Sequence, residues 1–336
     1  MKTGSIKHAL VVGSGSIAKR HIKNLREQFP GASVICVSAS GRVLDKNEVG
    51  ASEIAPDLAS AISFKPDFAI VASPAPFHLR NADELLAAHV PVLIEKPLCA
   101  SRDEMTQIDL KRHSARVGIG YNLRFTPAAK VVKELLDNGA VGPISTAFAE
   151  VGQYLPDWRP DTDYRVGVSA RKELGGGALL ELSHELDYLS WFFGPFTRAL
   201  GVLRDTGQLG INVEDNVDGL LEKEKRLMVH VHLDFNQRQP CRRFKAVGEQ
   251  GTVLWDLIAN EVTLLLPDGR IKKIYSDSTY NRNQMYIDQT SAFISFVQEG
   301  AVFASSLDSA SGVMSLIESI RLSSKHAKWV DVEAVL

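Results

Sequence analysis

The stretch VVGSGSIAKRH, residues 11–21, decides the fold. An apolar run over residues 6–12 leads into it, and Ile22 and Leu25 continue from it at helical spacing. Gly13-x-Gly15-x-x-Ala18 therefore stands between a strand and a helix. In that setting Gly13 permits a tight turn and Gly15 lets the backbone approach a pyrophosphate. Ala18 is small enough for close helix–strand packing, and the helix N-terminus attracts phosphate charge. Ser14, Ser16 and Ile17 complete the loop. A glycine pattern alone also describes an ordinary structural turn; the strand–loop–helix context is what favours dinucleotide binding.

Outward from this loop, strand-like and helical segments alternate. Residues 34–37 and the stretches DFAIVAS and VPVLIEK read as strands, separated by helical stretches such as HLRNADELLAAH. SRDEMTQIDLKRHSAR reads as one helix with Ser101 as its N-cap, and VGIGYNLRF closes the series. Repeated β-α-β units with near-continuous apolar strands predict a parallel sheet covered on both faces. Residues 1–122 are thus expected to form a dinucleotide-binding Rossmann domain.

The rhythm then changes. TPAAKVVKELLDNGAVG is a helix with Pro127 near its start and Gly139 at its end. Strand-like stretches recur, among them ISTAFAEVGQY, RLMVHVHLDF and EVTLLLPDGRIKKIY, the last with a hairpin signal at Pro267-Asp268-Gly269. One helix, ALLELSHELDYLSWFF, interrupts them, and helices over about 286–299 and 308–324 finish the chain. Residues 123–336 are expected to be an α+β domain on a large, mainly antiparallel open sheet, binding substrate and making subunit contacts.

Bulk composition narrows the partners. The 336 residues carry 38 Lys plus Arg against 40 Asp plus Glu, a net charge of −2. Nothing there attracts nucleic acid or an anionic membrane in general. Cys36, Cys99 and Cys241 are scattered and odd in number, so neither a disulfide framework nor a zinc cluster is expected. No apolar run approaches the roughly 20 residues of a membrane helix. The N-terminal apolar run leads straight into the glycine loop and reads as a strand, so a cytoplasmic location is expected.

The strand tips carry the chemistry. A typical NAD site would place an acid after the second strand, to hold the ribose 2′-hydroxyl. Here Ser38, Ser40 and Arg42 follow, and Asp45 comes a few residues late. Two hydroxyls and a guanidinium suit a 2′-phosphate, so NADP is expected ahead of NAD; a solvated loop would also have this composition. The next tips bring Ser73-Pro74 with His78 shortly after, and Glu95-Lys96-Pro97. Ligands of open α/β sheets bind beyond the carboxyl ends of strands, so Gly13, Ser73 and Lys96 can face one crevice.

With these motifs the sequence resembles the Gfo/Idh/MocA oxidoreductases over nearly its whole length. The features that carry the resemblance are GSGSIA, ASPAPFH, EKP, GYNLRFTP and GGGALLELSHELDYLSWFFG. The resemblance implies hydride transfer between a nicotinamide cofactor and a sugar or polyol carbon, with Lys96 touching both cofactor and reacting oxygen. Alcohol oxidation also needs a proton acceptor and a cation for the developing alkoxide. Lys96 fits the cation, with Glu95 as its orienter. His184 fits the proton acceptor because imidazole titrates near neutrality. The family acid usually stands four residues before that histidine, whereas Glu181 stands three before it. Asp187 completes the His-x-x-Asp spacing.

Asn122 and Arg124 match family positions that face substrate. Tyr154, Trp158, Arg159, Tyr164 and Arg165 cluster in a long loop. Aromatic faces pack on sugar rings and arginines grip anions, so an anionic sugar or nucleotide sugar is expected ahead of a neutral polyol. Metal-ligand spacing is absent, and hydride chemistry without a metal is expected. A homodimer or homotetramer is expected from the open sheet. A non-catalytic dinucleotide-binding regulator, or an enzyme acting on a non-sugar carbonyl or diol, would share the fold.

Overall fold

The computed structural model describes residues 6–108 and 110–333. The chain divides into two compact units. The first runs to Asn122 and also takes in Arg282–Ala310; the second comprises Leu123–Asn281 and continues from Ser311. A single boundary at 122/123 therefore leaves out the return of residues 282–310.

The first unit is a six-stranded parallel sheet in the order β3-β2-β1-β4-β5-β6. Its strands are β1 (His8–Val12), β2 (Ser33–Val37), β3 (Glu53–Ala55), β4 (Phe68–Val71), β5 (Val92–Ile94) and β6 (Val117–Ile119). β4, β5 and β6 are buried at every residue, the signature of a parallel sheet's interior. Helices α1 (Ser16–Gln28), α2 (Lys46–Val49), α3 (Leu58–Ser63), α4 (His78–Ala87) and α5 (Arg102–Gln107) connect them. α5 is much shorter than the helix expected from 101–116. The backbone turns extended at Ile108, and a separate 3₁₀ turn follows over Lys111–Arg116. The returning segment seals this core: Phe293 meets Phe68 edge-on at 6.3 Å, and Ile119 N–H donates to the Ser305 carbonyl at 3.0 Å.

The second unit opens with α6 (Pro127–Asp137), started by Thr126, whose Oγ1 accepts the Ala129 N–H. Its sheet has nine strands in the order β14-β13-β12-β11-β7-β10-β9-β8-β15. These are β7 (Ile144–Gly152), β8 (Arg198–Arg204), β9 (Asn216–Lys223), β10 (Leu227–Asp234), β11 (Cys241–Gly248), β12 (Gly251–Asp256), β13 (Glu261–Leu265), β14 (Ile271–Ser276) and β15 (Val330–Asp331). β7 and β10 pair in parallel and every other pairing is antiparallel. β8 and β15 were not expected from the sequence.

The single helix expected over 178–193 is broken into α7 (Ala178–Glu181) and α8 (His184–Phe193). Leu182 and Ser183 form the corner. α9 (Gln284–Glu299) lies in the returning segment, and α10 (Leu307–His326) continues into the second unit. There Ser323 and Ser324 hydroxyls accept the Gly201 and Leu203 N–H groups of β8. No helix of the described residues is long and apolar enough to cross a membrane.

Candidate active site

The glycine loop is clamped where β1 ends. Gly13 has φ +122°, and a Cβ there would overlap the Ala72 carbonyl just past β4, so only glycine fits. Its N–H donates to Val37 O at 2.8 Å. Its carbonyl accepts the Cys36 thiol at 3.3 Å, and burial pushes that thiol up to about 11. Gly15 caps α1 without a side-chain bond, and the first turn holds no acid. Open space lies over Gly15. The first N–H groups of α1, from Ser16 and Ile17 onward, are thus presented to an anion. This donor set fits a dinucleotide's pyrophosphate.

Beside it, Ser38 Oγ accepts the N–H groups of Ser40 and Arg42. Arg42 reaches across the loop, donating from Nη2 to Ser14 Oγ at 2.8 Å. Asp45 instead caps α2 by accepting the Asn47 and Glu48 N–H groups. The tip of β2 therefore offers hydroxyls and a guanidinium where an acid would grip a ribose.

The tips of β4 and β5 stand next in line. A Gly13 Cβ would lie 3.1 Å from the Ser73 nitrogen, so loop and tip touch. Ser73 is buried and its Oγ accepts from Asn81; Pro74 starts the turn into α4. Past β5, Glu95 N–H donates to Val71 O, and half-buried Lys96 is joined to Pro97 by a cis bond. The structure thus gathers Gly13, Ser14, Gly15, Ser73, Glu95 and Lys96 along one edge of the first sheet.

His78, expected at the cofactor, turns its ring to the backbone. Its ring is buried, with Nδ1 2.8 Å from Pro97 O and Nε2 2.7 Å from Ser73 O. Burial holds it below its ordinary range, and a neutral ring donates to one of the two carbonyls. It ties the two strand tips together. Glu95 is buried too. Burial pushes its carboxyl up, but the His21 hydrogen bond and the charges of His21 and Lys96 bring it below the usual range.

In the second unit, residues 177–187 hold the candidate residues Glu181 and His184. Gly177 has φ +109°, and a Cβ there would strike the Glu214 carboxylate. Glu214 receives the Leu179 N–H on Oε1 and the Ala178 N–H on its carbonyl, so it anchors the start of α7. Burial pushes the Glu214 carboxyl up. Glu181 ends α7 and His184 begins α8, both half-buried on either side of the corner.

Asp187 is fully buried and accepts from Arg124 Nε at 2.9 Å and Nη2 at 2.7 Å. Glu185, also fully buried, accepts likewise from Arg242 at 2.7 and 3.1 Å. Arg124, expected to face substrate, thus holds α8 through Asp187. Nothing in the local pattern announced Glu214 or Arg242.

The remaining expected substrate residues scatter over the loop. Trp158 meets Phe235 edge-on at 5.4 Å, and Arg238 lies 3.5 Å from the Tyr154 ring centroid. Tyr164 OH donates to Leu209 O. Arg159 is exposed. Arg165 is exposed and paired with Asp163 at 2.9 Å, so its charge is answered within the loop. Asn122 is buried with its Oδ1 lacking a partner. Apart from these, His232 bridges Asp218 at 2.7 Å and Asp234 at 3.1 Å, and these bonds raise its pKa to about 9. Among the described residues no group of three or more His, Cys, Asp or Glu is arranged to hold a metal ion.

A parallel sheet in the order 3-2-1-4-5-6, with a glycine loop at its first strand, defines a dinucleotide-binding α/β protein. More particularly, the chain belongs to the Gfo/Idh/MocA family. Residues 7–121 match that family's NAD-binding Rossmann oxidoreductase domain, and residues 129–254 match its C-terminal domain. An inositol 2-dehydrogenase of Rubrobacter xylanophilus is 27% identical over 61% of this chain and 58% of its own length. One of Acidothermus cellulolyticus is 28% identical over 72% of this chain and 71% of its own. Among solved structures, a levoglucosan dehydrogenase in complex with NADH and levoglucosan superimposes with a TM-score of 0.83. It is 18% identical, with 98% of this chain and 99% of that one covered.

Proposed function

We propose that this chain is an NAD(P)-dependent dehydrogenase that oxidises a secondary alcohol of a neutral polyol or sugar. The observation that carries this is the Glu95-Lys96 turn at the carboxyl end of β5, on the same sheet edge as the Gly13 loop and Ser73. Relatives named for inositol support the substrate class. A bound nicotinamide supplies the hydride acceptor. Lys96 donates to the reacting oxygen and stabilises negative charge as the proton leaves. His184 takes that proton, and Glu181 at the preceding helix end orients it.

The expected preference for an anionic sugar is dropped. Among the basic residues behind it, Arg124, Arg165 and Arg171 are each paired with a carboxylate. For the cofactor, Ser38, Ser40 and Arg42 favour a 2′-phosphate, so NADP is the proposed partner ahead of NAD.

Turnover is measured as NAD(P)H formation with myo-inositol, scyllo-inositol and levoglucosan. One neutral substrate is expected to react, and Lys96→Ala or His184→Ala should lower kcat by about 10²–10⁴-fold. Near wild-type turnover in both variants overturns the roles. A fluorescence titration giving tighter NADH than NADPH binding overturns the cofactor preference.

A further inference from the structure

Lys96 is held by its neighbours on both sides. Pro97, after it, meets His78 through its carbonyl. Glu95, before it, places Oε1 2.6 Å from Nε2 of His21 and accepts the Lys96 backbone N–H on Oε2 at 3.2 Å. His21 lies on α1, on the second turn past the glycine loop, and is 1% exposed. It is 74 residues from Glu95 in sequence, and no motif links the two.

The surroundings leave this pair little freedom. The His21 and Tyr286 rings meet in a T-shaped arrangement with centroids 5.8 Å apart, and Arg20 lies 4.8 Å from the centre of the tyrosine ring. One turn along α1, Asn24 and Asn283 exchange amide hydrogen bonds at 3.2 and 2.8 Å, fixing α1 to the start of α9. On the other side, a Cβ at Gly120 would lie 3.0 Å from both Glu95 Cα and Oε2, so the β6 backbone packs directly on the acid. His21 Nδ1 is buried without a hydrogen-bond partner, so the ring's single polar contact among the described residues is Glu95.

A carboxylate buried to this degree is costly without a donor. His21 supplies that donor. With Glu95 fixed, its second oxygen fixes the N–H of residue 96 and with it the direction in which the lysine leaves the strand tip. We propose that His21 is a positioning residue for Lys96, acting through Glu95. The inference rests on the reading of Lys96 as the group that meets the reacting oxygen and extends it to a residue outside the strand-tip motif.

The test compares the whole chain with His21→Leu, which fills the space without a donor, and His21→Gln, which keeps one. Hydrogen exchange at the Lys96 amide needs no substrate. It should accelerate about tenfold or more in His21→Leu, with β1 and β4 unchanged, and return close to wild type in His21→Gln. Turnover on the polyol should show kcat lowered about ten- to a hundredfold in His21→Leu with the KM for cofactor unchanged, and be recovered in His21→Gln. Equal Lys96 exchange in all three proteins overturns the proposal, as does exchange accelerated equally across β1 and β4. A wild type that turns over no polyol, but whose Lys96 exchange follows the expected order, defeats the functional reading alone.

Discussion

Lys96 and His184 stand at corners built in opposite ways. The Lys96 corner is a strand end, held by two imidazoles, one carboxylate and backbone carbonyls. The His184 corner is a break between two helices, held by Arg124 and Arg242 on buried carboxylates and by Glu214 against a glycine. A parallel sheet already aligns its strand ends, so the first corner needs only hydrogen bonds added to an existing frame. A short helix has no such frame, and its direction is tied down by buried arginine–carboxylate pairs.

The comparison predicts where damage is greatest. Arg124→Ala leaves the fully buried Asp187 without its cation and should cost about 3–5 kcal/mol in urea unfolding. A loss below about 1 kcal/mol would show that α8 does not depend on this tether. Gly177→Ala combines a positive φ with a clash against Glu214 and should cost about 1–3 kcal/mol, while NADH affinity, a property of the first unit, stays unchanged. Unaltered stability would mean the corner relaxes freely.

A unit fastened by charge should also respond to pH. The His232 pKa is raised to about 9 in the fold, so its pairing with Asp218 and Asp234 stabilises fully below about 6.5 and is lost as pH rises through about 9. His232→Gln should cost about 1–2 kcal/mol at pH 6, allowing for solvent screening, and almost nothing at pH 10. A pH-independent difference would assign the loss to packing instead. The smallest effect belongs to Arg165→Ala. Its pair with Asp163 is fully solvated, and no measurable change in unfolding midpoint is expected. A large shift would give the loop the tethering role reserved here for α8.

The same contrast explains what could be read from the sequence. The glycine loop, the apolar parallel strands and Glu95-Lys96-Pro97 are local patterns, and each stands where its pattern implied. His21 was not legible because its partner is 74 residues away and a helical histidine looks the same with or without one. The Arg124–Asp187 pair was hidden for a related reason: a guanidinium suits a bound anion and a buried aspartate equally, and composition cannot choose. β8 escaped because RALGVLR carries arginine at both ends and a half-exposed apolar face. The return of 282–310 escaped because an amphipathic helix shows that it packs, not which core receives it.

That return governs how the polypeptide is completed. A ribosome that has released only the first 122 residues has made all six parallel strands, but not Tyr286 behind His21 nor Phe293 against Phe68. The nucleotide-binding half must wait, unsealed, through the synthesis of some 160 further residues before its last pieces arrive. Cutting the gene at the obvious joint would therefore yield a sheet with an open flank, and a transplantable cofactor module would have to carry both segments, joined by a linker where the second unit now sits.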